Sequence, residues 1–117
     1  MRTAAVLTCA LALSACSHVH VVGASRTLRV AVTEYRVIPQ DVRVTQGELM
    51  IIVHNYGRLS HNLAVTMNGV SEGSTQPLLP GQTAQLALYV TPGSYVMAST
   101  ILSDRDLGTY GTLTVTP

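Results

Sequence analysis

Apolar and polar residues alternate with a period of two along much of this chain. Leu28-Arg29-Val30-Ala31-Val32 puts Leu28, Val30 and Val32 on one face, the pattern of a strand half-buried against a core. Thr33-Glu34-Tyr35 extends it, and Val37-Ile38-Pro39 follows, where Pro39 bars a central place in a sheet. Val42-Arg43-Val44 predicts a second strand, closed by Gln46-Gly47-Glu48, and Leu49 to Asn55 a third. A fourth runs from His61 to about Met67 and ends at Asn68-Gly69, a favourable turn pair. Val70 to Pro80 lacks periodicity and reads as a loop with room for one helical turn. Thr83 to Val90 alternates again, Thr91-Pro92-Gly93 turns the chain, and Ser94 to Thr100 returns it. Ile101 to Gly108 reads as a loop before a last strand, Gly111 to Val115. Seven or eight short strands separated by turn residues predict an all-β sandwich.

The beginning of the chain follows a different rule. Met1-Arg2 is followed by a nearly unbroken apolar run from Ala4 to Leu13, too short for a bilayer span of about 20 residues. It has the form of the apolar region of an export signal. Leu13-Ser14-Ala15-Cys16 resembles a bacterial lipobox, in which the Cys is acylated and becomes the mature N-terminus. Cys9, after Thr8 and a shorter apolar run, fits less well. The division that follows is a signal over 1–15, a tether over 16–25 and one β domain over 26–117. Acylation at Cys16 implies attachment to the extracytoplasmic face of a bacterial membrane.

Composition narrows the functional classes. The chain has 117 residues, 47% hydrophobic and 11% charged, with a net charge of +1: one packed domain, not a disordered segment. Its positive residues are all Arg and form no cluster along the sequence, which argues against a nucleic-acid or polybasic membrane surface. With Cys9 in the signal and Cys16 acylated at the start of the tether, the domain has neither a disulfide nor a thiolate donor.

Candidate chemistry begins at Asn55-Tyr56-Gly57-Arg58-Leu59-Ser60-His61-Asn62-Leu63, read as a strand, a short loop and a strand with His61 at the mouth. This stretch resembles the first copper-ligand motif of the cupredoxins, the small blue-copper β-sandwich proteins. Pro92-Gly93-Ser94-Tyr95, followed by Leu107 to Val115, resembles their second motif. The resemblance covers residues 28 to 116 and implies a cupredoxin-like Greek-key β-sandwich. In that alignment Ser99 falls at the family's Cys ligand, Asp104 at its second His and Thr109 at its axial Met. Only His61 remains of the ligand set. A type 1 copper site needs a thiolate with two imidazoles and a weak axial ligand, and a Ser hydroxyl is a poor substitute for the thiolate.

Three readings of His61, Ser99, Asp104 and Thr109 follow. The leading one is a polar-filled pocket, with Asp104 orienting His61, in a non-enzymatic docking or structural module that has no cofactor and an unidentified extracytoplasmic protein partner. The second is binding of copper or another divalent metal by His61 with Asp104, and with Asp106, aided by His18 and His20 on the tether. The third is a Ser99–His61–Asp104 hydrolase, for which no oxyanion hole or nucleophile elbow is marked. Met97 reads as a core residue, His54 as outward-facing, and Asn55 and Asn62 as side chains that fasten the strand ends through backbone hydrogen bonds.

Overall fold

The computed structural model describes residues 18–117, so the expected signal over 1–15 and the acylation site at Cys16 lie outside the described residues. Among the described residues ten strands form two sheets: β1 (Val19–Val21), β2 (Thr27–Thr33), β3 (Arg36–Ile38), β4 (Asp41–Thr45), β5 (Gly47–Asn55), β6 (Ala64–Met67), β7 (Val70–Ser74), β8 (Thr83–Val90), β9 (Gly93–Ala98) and β10 (Tyr110–Thr116). A single-turn helix, α1 (Asp104–Leu107), lies between β9 and β10. One sheet has the order β1-β4-β10-β9-β6-β7, the other β3-β2-β5-β8. Both are mixed: β2 runs parallel to β5 and β4 parallel to β10, while the remaining pairs apart from β1–β4 are antiparallel.

Alternation in the sequence becomes alternation in burial. Leu28, Val30 and Val32 of β2 and Leu49, Ile51 and Val53 of β5 are buried, and they share one core with Val42, Val44, Met97, Leu113 and Val115 of the opposite sheet. Met97 is a core residue, as its place in the strand pattern suggests. The Pro-Gly-x-Tyr motif has a physical role here. Tyr95 is buried, and its hydroxyl donates to the Thr91 carbonyl and accepts from the Thr91 amide, both over 3.0 Å, so it pins the β8–β9 turn.

The structure corrects the sequence reading at four places. Residues 19–21, assigned to the tether, form an edge strand paired with β4 through Val19–Asp41 and Val21–Arg43. Residues 70–74, read as loop, pair with β6 across a register shift at Val65/Thr66 that an alternation pattern cannot reveal. The segment 101–108 contains α1. His61 does not begin the β6 ladder but makes an isolated bridge to Leu78 ahead of it.

Strand direction gathers the polar chemistry at one end. β2 and β5 finish there at Thr33 and Asn55, β8 and β10 begin there, and β9 delivers Ala98 and Ser99 to the same level.

Candidate functional site

His61 is fully buried at this end of the sandwich. Its backbone exchanges two hydrogen bonds with Leu78, 2.8 and 3.1 Å long, which fix the ring's position. The ring is held from both sides. Nδ1 lies 2.7 Å from Oδ2 of Asp104, and Nε2 lies 2.9 Å from Oε1 of Glu34. Both acceptors are carboxylates, so both ring nitrogens act as donors, which makes His61 an imidazolium. Burial pulls the His61 pKa down, but the hydrogen bonds to Asp104 and Glu34, with the charge of both carboxylates, outweigh it and hold His61 above the usual value of 6.5.

Each carboxylate has its own support. Asp104 opens α1 and is buried; its Oδ2 also accepts the Ser99 hydroxyl proton over 2.6 Å. Ser99 is itself buried, with Asn62 Oδ1 at 3.1 Å and the Asn62 amide donating to Oγ over 3.3 Å. Glu34 follows the last residue of β2, and its Oε1 accepts the amides of Arg58 and Leu59, each over 2.7 Å. The Leu59 amide is the strongest influence on its pKa; against the opposing pull of burial, and with His61 and the Arg58 amide adding to it, the carboxyl is pushed down from 4.5 to about 2. Gly57 makes room for this arrangement, because a Cβ there would lie 2.6 Å from Glu34 Oε1.

Asp104 is therefore in direct contact with both His61 and Ser99. Thr109 is buried beside them, but its hydroxyl donates to the Thr33 carbonyl over 3.3 Å. Asp106 is exposed on α1 and takes no part. His18 and His20 lie on the exposed segment around β1, outside the contacts of His61. His54 points outward, with Nδ1 2.6 Å from the Thr83 hydroxyl and its ring against Tyr56. Asn55 donates to the carbonyls of Leu59 and Leu78 and accepts from the Gly57 amide, so it fastens the loop that carries His61. Asn62 does the same for β9, accepting from the Thr100 amide over 2.7 Å.

Glu34 is the site residue that the sequence reading missed. A signal was present: residues 28, 30 and 32 point inward, so by parity residue 34 does too, and an acid on the inward face of a strand calls for a partner.

The arrangement also limits the chemistry. The two carboxylates sit on opposite edges of one ring, and among the described residues no group of three His, Cys, Asp or Glu side chains could hold a metal ion. No buried side-chain nitrogen or oxygen among them lacks a hydrogen-bond partner. The Ser99 proton is directed to Asp104 and not to the imidazole, which differs from the order a serine nucleophile needs.

No family model matches the chain, and no curated protein matches it in sequence. Solved structures do match in shape. A dithionite-reduced auracyanin from Roseiflexus castenholzii superposes with a TM-score of 0.73 at 20% identity, over 81% of this chain and 100% of that one. Reduced rusticyanin gives 0.68 at 13% identity, over 84% of each chain. Auracyanin A from Chloroflexus aurantiacus, a blue copper protein, gives 0.65 at 12% identity, over 77% of this chain and 99% of that one. The chain has a cupredoxin-like fold, and at these identities the likeness extends to the fold alone.

Proposed function

We propose that this protein is an extracytoplasmic, membrane-anchored module that keeps the cupredoxin-like sandwich for binding or structural support and has no type 1 copper centre. One observation carries the reading: both ring nitrogens of His61 are taken by Asp104 and Glu34. An imidazolium has no lone pair to give a metal, and the position aligned with the family's thiolate is a serine whose proton is directed to Asp104. The residues present do not fit the copper ion that the fold family implies. In place of a cation held by protein ligands, the site holds a protonated histidine between two carboxylates, and among the described residues every buried side-chain nitrogen and oxygen already has a hydrogen-bond partner.

Anchoring rests on the Leu13-Ser14-Ala15-Cys16 sequence after an apolar run. The partner of such a module is another extracytoplasmic protein. Handling of copper or another divalent metal through His61 and Asp104 is the competing reading, and it requires the metal to displace a proton held by two carboxylates.

Calorimetric titration of the mature protein with Cu(II), Cu(I) and Zn(II), beside a His61→Ala variant, decides between them. The expected result is no site-specific binding and no intense visible band. Submicromolar binding that is lost in the variant would establish metal handling instead.

A further inference from the structure

The direction of β1 relative to the site bounds where an acylated Cys16 could lie. β1 runs parallel to β4 and β4 parallel to β10, with Val19 level with Asp41 and Asp41 level with Thr112. All three strands point away from the His61 end, so the chain enters β1 from that end. Cys16 precedes Val19 by three residues, a reach of at most about 10 Å. Thr109, in the site, precedes Thr112 by the same number. An acyl chain on Cys16 would therefore hold the bilayer surface near the level of the site loops and leave the opposite end remote from it.

Those loops carry apolar side chains that the fold does not bury. Tyr35, Tyr56, Leu59, Leu79, Leu102 and Leu107 are all exposed. Each is tied closely to the His61 network. Tyr35 follows Glu34, the Leu59 amide donates to Glu34, Leu79 follows the bridge partner of His61, and Leu102 and Leu107 flank Asp104. Leu102 is 97% exposed and held at φ 49, a left-handed backbone conformation unfavourable for a leucine, while its side chain contributes nothing to the core. Arg36, Arg58 and Arg105 are exposed on the same loops, against Asp106 as the exposed acid there. Apolar side chains with tyrosines and arginines suit the boundary between acyl chains and anionic headgroups.

We propose that the His61 end of the sandwich rests on the bilayer that anchors the chain, with Leu59, Leu102 and Leu107 entering the acyl–headgroup boundary and the three arginines meeting anionic headgroups. This rests on acylation of Cys16. Its occupant is the lipid surface itself, because a three-residue connection places that surface beside these loops.

The test uses the full chain, processed by its host and reconstituted in vesicles of phosphatidylethanolamine and phosphatidylglycerol. Mass spectrometry of the N-terminal peptide first establishes whether Cys16 is acylated. Leu102→Cys and, at the opposite end, Val70→Cys are each labelled with an environment-sensitive fluorophore; with Cys9 removed in the leader and Cys16 blocked, each added thiol is the single labelling site. The expected result is a blue-shifted label at 102 that doxyl lipids quench, and a water-exposed, unquenched label at 70. An acylated protein with both labels unquenched, or both quenched alike, overturns the orientation and leaves the anchor standing. A label at 102 that is shielded without lipid quenching, and only at high protein density, assigns the face to a second copy and overturns the proposal. An unacylated Cys16 overturns the anchor and the orientation with it.

Discussion

His61 Nε2 lies 2.9 Å from Glu34 Oε1, and the same oxygen receives the amides of Arg58 and Leu59. One carboxylate thus holds a buried ring and the loop that leads to it. Together with Asp104 on Nδ1, it makes the proton on His61 part of the folded structure. Stability should follow that proton. His61 has a raised pKa, so its contribution is complete below 6.5 and is lost as pH rises through its folded value. Glu34 has a depressed pKa, so its contribution is complete above 4.5 and is lost as pH falls toward about 2. Thermal melts across pH should show greatest stability between 4.5 and 6.5 and a decline on the alkaline side. His61→Gln should flatten the alkaline decline. Nitrogen NMR of the ring should show both nitrogens protonated at pH 6.

Removing Glu34 separates its two roles. Glu34→Ala leaves two amides and Nε2 without their acceptor, a loss on the order of 2 kcal/mol for charge-assisted bonds at a partly buried site. Denaturant melts should show that loss. The alkaline decline should move to lower pH, because Asp104 alone then favours the imidazolium. An unchanged alkaline limb would mean that Glu34 does not hold the proton.

Tyr95→Phe tests the turn without touching the network. It removes the hydroxyl that meets the Thr91 amide and carbonyl, at a cost of about 1–2 kcal/mol. The midpoint should fall while the pH profile keeps its shape, because Tyr95 makes no contact with His61 or its two carboxylates.

Ser99 offers a direct check on nucleophilic chemistry. Its side chain is buried and its proton is directed to Asp104 at 2.6 Å, while Glu34 occupies the nitrogen of His61 that faces away from Asp104. An activated phosphonate should leave Ser99 unlabelled under native conditions, read by peptide mass spectrometry. Stoichiometric labelling would restore the hydrolase reading.

The sandwich was legible because period-two alternation survives in each long strand, from Leu28-x-Val30-x-Val32 to Ala84-x-Leu86-x-Leu88. The short edge strands were not. Val19–Val21 is exposed at all three residues, so it carries no alternation to read and owes its order to backbone pairing with β4. Val70–Ser74 has one partly covered glycine among exposed residues. The convergence of His61, Ser99 and Asp104 came from motif spacing, since residues 43 and 5 positions apart cannot be joined by local pattern. Glu34 belongs to neither motif; only the parity of β2 pointed to it.

The positional alignment can be tested by reversing it. The resemblance to the cupredoxins implies that Ser99, Asp104 and Thr109 stand at the positions of a Cys, a His and a Met, and Asp104 meets both His61 and Ser99. Ser99→Cys alone should stay colourless with Cu(II), because Asp104 still holds Nδ1 and Glu34 still holds Nε2. Adding Asp104→His and Thr109→Met supplies the second imidazole and the weak axial donor, and Glu34→Gln removes the carboxylate that keeps the ring protonated. The four changes together should produce an intense visible absorption with Cu(II), the mark of thiolate bound to copper. Circular dichroism would establish that this variant is folded. A folded but colourless variant would mean that positions 99, 104 and 109 do not converge as a ligand set.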